Sequence, residues 1–343
     1  MRQAKIISKG QVIVENIEVP VPKENEILLK IVFSGLCGSD RLMLSDPSFF
    51  SYPVVNGHEI VGIVASEGKK FKKGDRVSVL PMVYCRSCEY CQNEDHNLCK
   101  SLLFIGGTPE NGGFADYVTV EEDNLFLLPQ SLDDETAALI EPASVAYHAI
   151  ELSNPTRIKK ALIIGIGIIG SIALRILKKK YGVDQVDVLD AIDEKLENAV
   201  GEGATNSGNI RSDDWKSIIF LNDNPFLAGE YDAIYDFASS SDSVDIGICN
   251  IKKSGSIIVV GLPHADIKIS KLSFFAIAAK EINIQGCYCY NKKTFKEVIE
   301  MLEKKQIKVS DLISAKFDLD KTPEAFAEFN RNYAKWYKVL IKP

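Results

Sequence analysis

Four cysteines, Cys85, Cys88, Cys91 and Cys99, fall within fifteen residues in the pattern C-x2-C-x2-C-x7-C. A thiolate is a soft metal ligand, and four on one short loop make the sulfur cage that tetrahedral Zn2+ suits best. Sulfur at every corner leaves no position for water or substrate, so the ion held there is expected to be structural. A nucleic-acid-binding zinc ribbon wants two CxxC pairs separated by a longer strand-forming stretch. The ferredoxin iron–sulfur run has a different spacing and a proline after its last cysteine. His96, inside the loop, is a spare ligand expected to be solvated. Cys37, Cys249, Cys287 and Cys289 are scattered, and eight cysteines in a reducing compartment do not read as a disulfide framework.

A second chemical feature is Gly165-Ile-Gly167-Ile-Ile169-Gly170, which follows an apolar run and opens a helical stretch. A lone GxGxxG is weak, but this one sits between strand and helix, and Asp190 ends the next apolar run about twenty residues after Gly170. The glycines allow a tight turn and close approach to a diphosphate, and a carboxylate at Asp190 can bind a ribose 2′-hydroxyl. The pattern favours NAD over NADP, since a 2′-phosphate would be repelled by Asp190 and no arginine immediately follows it.

A third set has no local spacing rule. Cys37 in SGLCGSD, His58 in GHE and Glu141 in LIEPA are far apart in sequence. Singly, each has a plain structural explanation: a core thiol, a hydrogen-bonded core histidine and a carboxylate at a helix N-terminus.

The elements that must position these residues change character along the chain. Up to about residue 74, short β-branched runs (11–17, 27–34 and 60–67) are separated by Pro, Gly and Asn clusters, as in a barrel of short antiparallel strands. From 143–152 the chain is Ala-rich and helix-compatible, and afterwards apolar runs at 160–164, 185–190, 231–237 and 256–261 alternate with helical patterns. That is βαβ spacing for a parallel sheet covered on both faces. A charged helix near 293–304 and a last strand at 338–341 are expected to return to the first domain. The 343 residues exceed what one core usually serves. The 40 basic and 47 acidic side chains leave a charge of −7, which gives no general reason to bind nucleic acid or an anionic membrane. The fourteen uncharged residues of 161–174 are too few to span a bilayer, which takes about twenty. The N-terminal stretch lacks the apolar core of a signal peptide, so a cytoplasmic protein is expected.

The order GxCGSD, then GHExxGxV (Gly57, His58, Glu59, Gly62, Val64), then the four-cysteine loop, then GGFADY, then EP ahead of the glycine turn, resembles the zinc-dependent medium-chain alcohol and polyol dehydrogenases. The resemblance runs from about Gly35 to the C-terminus. It implies an α/β protein with a Rossmann, doubly wound parallel-sheet NAD domain (143–284) and a β-rich, barrel-like (GroES-like) catalytic domain (1–142 and 285–343). It further implies two Zn2+ per chain. The catalytic one would be held by Cys37, His58 and a glutamate, with Glu141 favoured as third ligand and Glu59 beside it, and a Cys/His/Glu set with one open position also satisfies the chemistry of a catalytic zinc. Carried over residue by residue, Ser39 would pass the alcohol proton outward and Lys195 would lie near the adenosine ribose. Gly261 and Cys287 would lie near the nicotinamide, joining Gly165, Gly167, Ile169, Gly170 and Asp190 at the cofactor. The quoted motifs look most like the sorbitol and galactitol-1-phosphate dehydrogenase branch. That implies hydride transfer between NAD and a small polyol, sugar alcohol or its phosphate, by a homodimer or homotetramer. Two departures stand out: Leu42 where simple alcohol dehydrogenases often continue the proton relay with a histidine, and Ser239-Ser240-Ser241 where the family often has a glycine. Alternatives are a non-catalytic NAD-binding protein on the same fold, a dehydrogenase of a simple alcohol or amino alcohol, and a zinc-less reductase, which would lack the cysteine loop.

Overall fold

The computed structural model describes residues 1–46, 51–212, 229–263 and 265–343. The chain divides into two units, Met1–Ser144 with Tyr290–Pro343, and Val145–Cys289.

The first unit opens with the hairpin β1 (Arg2–Ser8) and β2 (Gln11–Asn16), followed by β3 (Glu26–Leu36), β4 (Glu59–Val64), β5 (Arg76–Val79), the short pair β6 (Met82–Val83) and β7 (Leu103–Phe104), β8 (Tyr117–Glu121) and β9 (Leu125–Leu127). Strand β3 alternates buried and less buried positions as a strand with one core face must. It pairs antiparallel with β4 and β8 and, at its far end, with β17 (Lys338–Lys342). The C-terminal stretch supplies that strand and β16 (Ile313–Asp318), giving the order β16-β17-β3-β4-β5-β9 with β8 beside β3. Ile27, Leu29, Ile31, Ile60, Val64, Val77 and Val79 form the core on one side. The return of the last strand is local to the chemistry: Val339 pairs with Leu36, next to Cys37.

The second unit holds a six-stranded sheet of β10 (Lys160–Ile164), β11 (Gln185–Asp190), β12 (Asn206–Asn209), β13 (Tyr231–Asp236), β14 (Ile251–Val259) and β15 (Asn283–Gly286). All its pairings are parallel and the order is β12-β11-β10-β13-β14-β15. Order reverses between β10 and β13, the switch point at which open α/β sheets bind ligands. Strand β10 is buried along nearly its whole length, which explains its unbroken apolar run.

Two boundaries differ from the sequence expectation for identifiable reasons. The helix expected to begin at residue 143 begins at Ile140, because Pro142 stands in the first turn, where no intrahelical N–H is required. The strand expected at 256–261 runs Ile251–Val259. Its first half carries the exposed Lys253 and Ser254, which an apolar-run criterion passes over, and residues 260–261 already belong to the turn.

Candidate functional site: two metal-donor clusters and a dinucleotide turn

The sulfur atoms of Cys85, Cys88, Cys91 and Cys99 lie within 4.8 Å of one another. Turn residues bring them together: Arg86 and Glu94 both adopt positive φ, and Cys88 caps the short helix Glu89–Gln92. Backbone N–H groups of Cys85 and Ser101 donate to Cys99 Sγ at 3.2 and 3.4 Å, and that of Cys88 donates to Cys85 Sγ at 3.4 Å. Donors aimed at sulfur stabilise thiolate, and hydrogen bonds from Ser87 and Cys88 hold the Cys85 thiol down to about 5. Burial pushes Cys91 up to about 12, so this thiol ionises only with a cation beside it. The donor set fits zinc. His96 is outside the group and half-buried: its ring packs against Tyr84 with centroids 4.4 Å apart, and burial with nearby Lys292 lowers its pKa.

The second group of donor atoms within 4.8 Å is Cys37, His58 and Glu59. Cys37 is the N-cap of the helix Gly38–Ser45, His58 immediately precedes β4, and Glu59 is its first residue. Glu59 is the direct cross-strand partner of Gly35, and a Cβ at Gly35 would stand 1.7 Å from Glu59 Oε2. Only glycine leaves room for that carboxylate. Lys338, reaching from β17, donates to Glu59 Oε1 at 2.5 Å and to Leu36 O at 3.3 Å. Glu59 Oε2 is buried with no hydrogen-bond partner among the described residues, which is what an oxygen reserved for a cation looks like.

Glu141, favoured from sequence as third ligand, is outside this donor set. It is buried in the first turn of the helix Ile140–Glu151. Burial pushes it up to about 7, against the pull of His58 and with Glu59 adding to the rise. Asp40 is the residue that sequence reasoning missed. Fully buried, it accepts from the Cys37 amide at 2.8 Å and from Asn56 Nδ2 at 3.0 Å, and stands 3.8 Å from His58 Nδ1. A carboxylate behind a histidine orients the ring and leaves Nε2 for a metal. The available clue was its place three residues after Cys37. Burial opposes a charged His58, but Asp40, then Cys37 and Glu141, outweigh it and raise its pKa well above the ordinary value. Ser39 is half-buried in the first turn of the same helix, and Leu42 is buried.

In the second unit the glycine turn follows β10. Gly165 has φ +92, and a Cβ at Gly170 would lie 2.1 Å from Gly165 O, so close packing of helix on strand demands glycine there. Gly167, N-cap of the helix Ile168–Arg175, would point a Cβ into open space. The first amides of that helix, including Ile169, lack intrahelical acceptors by geometry and face an anion favourably. This cradle fits a dinucleotide diphosphate. Asp190, ending β11, accepts from the amides of Ile166 (2.7 Å), Ala191 (2.7 Å) and Ile192 (3.1 Å). Its oxygens have lone pairs left for a ribose hydroxyl.

Lys195 is buried in the first turn of the helix Asp193–Glu202, and is therefore not a solvated helix charge. Gly261 follows β14 with its amide on Asp236 O at 3.2 Å, and a Cβ there would meet Phe237 O at 2.5 Å. The Cys287 amide donates to Val259 O at 2.8 Å, and burial pushes its thiol up to about 12.

Residues 23–130 match the alcohol dehydrogenase GroES-like domain family, and residues 169–304 match the zinc-binding dehydrogenase family. Sorbitol dehydrogenase of Bacillus subtilis (strain 168) is 30% identical, over 100% of this chain and 97% of its own length. Among solved structures, galactitol-1-phosphate dehydrogenase from Escherichia coli superposes with a TM-score of 0.90 at 27% identity, covering 100% of both chains. The protein described as the short chain alcohol dehydrogenase RspB of Escherichia coli CFT073, solved with the cofactor NADH, gives 0.89 at 28% identity, covering 100% of this chain and 99% of its own. This chain belongs to the zinc-dependent medium-chain alcohol and polyol dehydrogenases, and is an NAD-dependent oxidoreductase.

Proposed function

We propose that the chain oxidises a secondary alcohol of a polyol, a sugar alcohol or its phosphate with NAD+, and runs the reverse reduction with NADH. The observation that carries this reading is the donor set of Cys37, His58 and Glu59, with one buried glutamate oxygen left without a hydrogen-bond partner among the described residues. These residues would hold the catalytic zinc, and Cys85, Cys88, Cys91 and Cys99 a structural one. Zinc, when bound, makes an alcohol more acidic and polarises a carbonyl. A bound NAD+ would supply the acceptor for the carbinol hydride, the balance being alcohol and NAD+ to ketone, NADH and one proton.

The chain's own residues do the rest. Asp40 keeps the His58 ring oriented, and Lys338 fixes one oxygen of Glu59. Ser39 accepts the alcohol proton and passes it outward. With Leu42 where a histidine would continue the relay, the proton leaves through water or the buried Glu141. The glycine turn with Ile169 takes the diphosphate, Asp190 and Lys195 the adenosine ribose, and Gly261 and the Cys287 backbone the nicotinamide end.

Glu141 beside the donor set gives a polyhydroxylated substrate a further acceptor, and the named relatives are a sorbitol dehydrogenase and a galactitol-1-phosphate dehydrogenase. The protein acts in the cytoplasm as a homodimer or homotetramer. In support of assembly, the helix Lys271–Ala279 leaves Leu272, Phe274 and Phe275 mostly exposed, an apolar cluster that a monomer gains nothing by showing to water. No helix among the described residues is long and apolar enough to cross a membrane.

The test is NADH formation at alkaline pH with sorbitol, xylitol, galactitol, galactitol 1-phosphate, threonine and ethanol. Turnover is expected with one or more polyols or polyol phosphates. Turnover confined to ethanol or threonine would overturn the substrate class.

A further inference from the structure

Ser239 combines two features that a serine ordinarily avoids. Its backbone adopts φ +46, a region that side-chain-bearing residues enter at a cost and glycine enters freely. Its residue is 6% exposed, and its hydroxyl has no hydrogen-bond partner among the described residues, a second cost. Glycine would remove both. Such a position persists when its surroundings hold it and something else uses it.

The surroundings that hold it are plain. The buried Asp236 carboxylate accepts from the amides of Ala238 (3.0 Å) and Ser239 (2.8 Å) through one oxygen, and from Ser243 Oγ (2.8 Å) through the other. Ser240 then caps the helix Ser241–Asn250. The loop after β13 has little freedom to relax.

Its place in the sheet says what uses it. The loop lies at the C-terminal end of β13, across the switch point from Asp190 on β11. A Cβ at Gly165 would stand 3.1 Å from Ala238 N, and one at Gly261 would stand 2.9 Å from Ser239 Oγ. The loop therefore runs between the phosphate turn, which the Ala238 backbone abuts, and the turn after β14, where the Ser239 hydroxyl lies beside Gly261. With the adenosine ribose at Asp190, the diphosphate and second ribose of a dinucleotide cross this loop.

We propose that Ser239 is a cofactor-binding residue: on binding, its hydroxyl rotates from the enclosed position beside Gly261 and donates to a diphosphate or ribose oxygen in the nicotinamide half of the dinucleotide. A serine side chain has a single heavy-atom torsion to reset, and a hydroxyl without a partner among the described residues gives up no hydrogen bond to them in turning. The inference rests on the dinucleotide reading of this same crevice.

The test is equilibrium binding of NADH, ADP-ribose and AMP to the whole chain, by fluorescence and calorimetry, for the wild type, Ser239→Gly and Ser239→Ala. Losing this hydrogen bond should weaken NADH and ADP-ribose in both variants, about 3- to 10-fold if the acceptor is a ribose oxygen and more than about 10-fold if it is a charged diphosphate oxygen. AMP, which lacks the second phosphate and ribose, should bind all three proteins alike. Ser239→Gly suits the positive φ, so it keeps the test open if the alanine variant folds poorly. Unchanged NADH and ADP-ribose affinities in Ser239→Gly, or an equal loss with AMP, would overturn the role of the hydroxyl. A wild type that binds neither NADH nor ADP-ribose would overturn the dinucleotide reading itself, and the two failures are distinguishable.

Discussion

Lys338 Nζ lies 2.5 Å from Glu59 Oε1, with both side chains closed off from solvent. A buried ion pair of this kind contributes little net stability, but removing one partner strands the other charge. Here the lysine comes from the last strand and the glutamate from β4, so the chain's end is tied to the metal-donor set. Lys338→Met should destabilise the metal-free protein by about 3–5 kcal/mol. Zinc should then raise the melting temperature of the variant more than that of the wild type, because the ion offsets the stranded carboxylate. Equal zinc-induced shifts in the two proteins, read by calorimetry with chelator and then with zinc, would separate Lys338 from the site.

Asp190→Ala should weaken NAD+ and improve NADP+ relative to it, by removing a ribose acceptor and a charge that repels a 2′-phosphate. The same carboxylate collects three backbone amides, so a looser turn adds to the loss for both cofactors. The ratio of kcat/KM values for the two cofactors is the readout, and a wild type that already prefers NADP+ contradicts the assignment.

Cys91→Ser is expected to lower the melting temperature and soluble yield far more than the specific activity of the protein that survives. The four-sulfur loop closes on itself and contributes folding energy through its ion. Retained stability with lost turnover would make this cluster part of the chemistry.

Cys287 offers a pH test. Burial pushes its thiol up to about 12, above the ordinary thiol value, so it stays neutral and unreactive until the pH approaches that value. Alkylation at pH 8–9, followed by peptide mapping, should leave Cys287 unmodified in the native protein and modify it after unfolding. Rapid native labelling at pH 8 would mean a thiolate, and a role for the side chain instead of the backbone.

Much of this is legible in the amino-acid sequence, and unevenly so. The Cys85 to Cys99 loop was readable because all its ligands share one stretch of chain. Strand β10, the glycine turn and Asp190 were readable because burial on both faces and a βα corner leave local patterns. The choice between Glu59 and Glu141 was not. The proposal of Glu59 rests on β3 pairing with β4 so that Gly35 faces Glu59, and on β17 returning with Lys338, contacts that join residues up to 279 positions apart. Asp40 escaped because an acid in a helix's first turn has an ordinary explanation, and only its burial behind His58 distinguishes it. Ser239-Ser240-Ser241 stood out where the family often has a glycine, and the fold gives Ser239 a positive φ of the kind glycine favours.

The central claim is that Cys37, His58 and Glu59 hold a zinc separate from the four-sulfur site. Zinc per chain, measured by mass spectrometry on purified wild type, His58→Ala and Glu141→Gln, tests it most directly. One ion per donor group predicts about two for the wild type. His58→Ala should fall to about one, while Glu141→Gln should keep most of its second ion, since changes beyond the ligands typically cost about 10–100-fold in affinity or activity. A His58→Ala protein that retains the wild-type zinc content would contradict the claim.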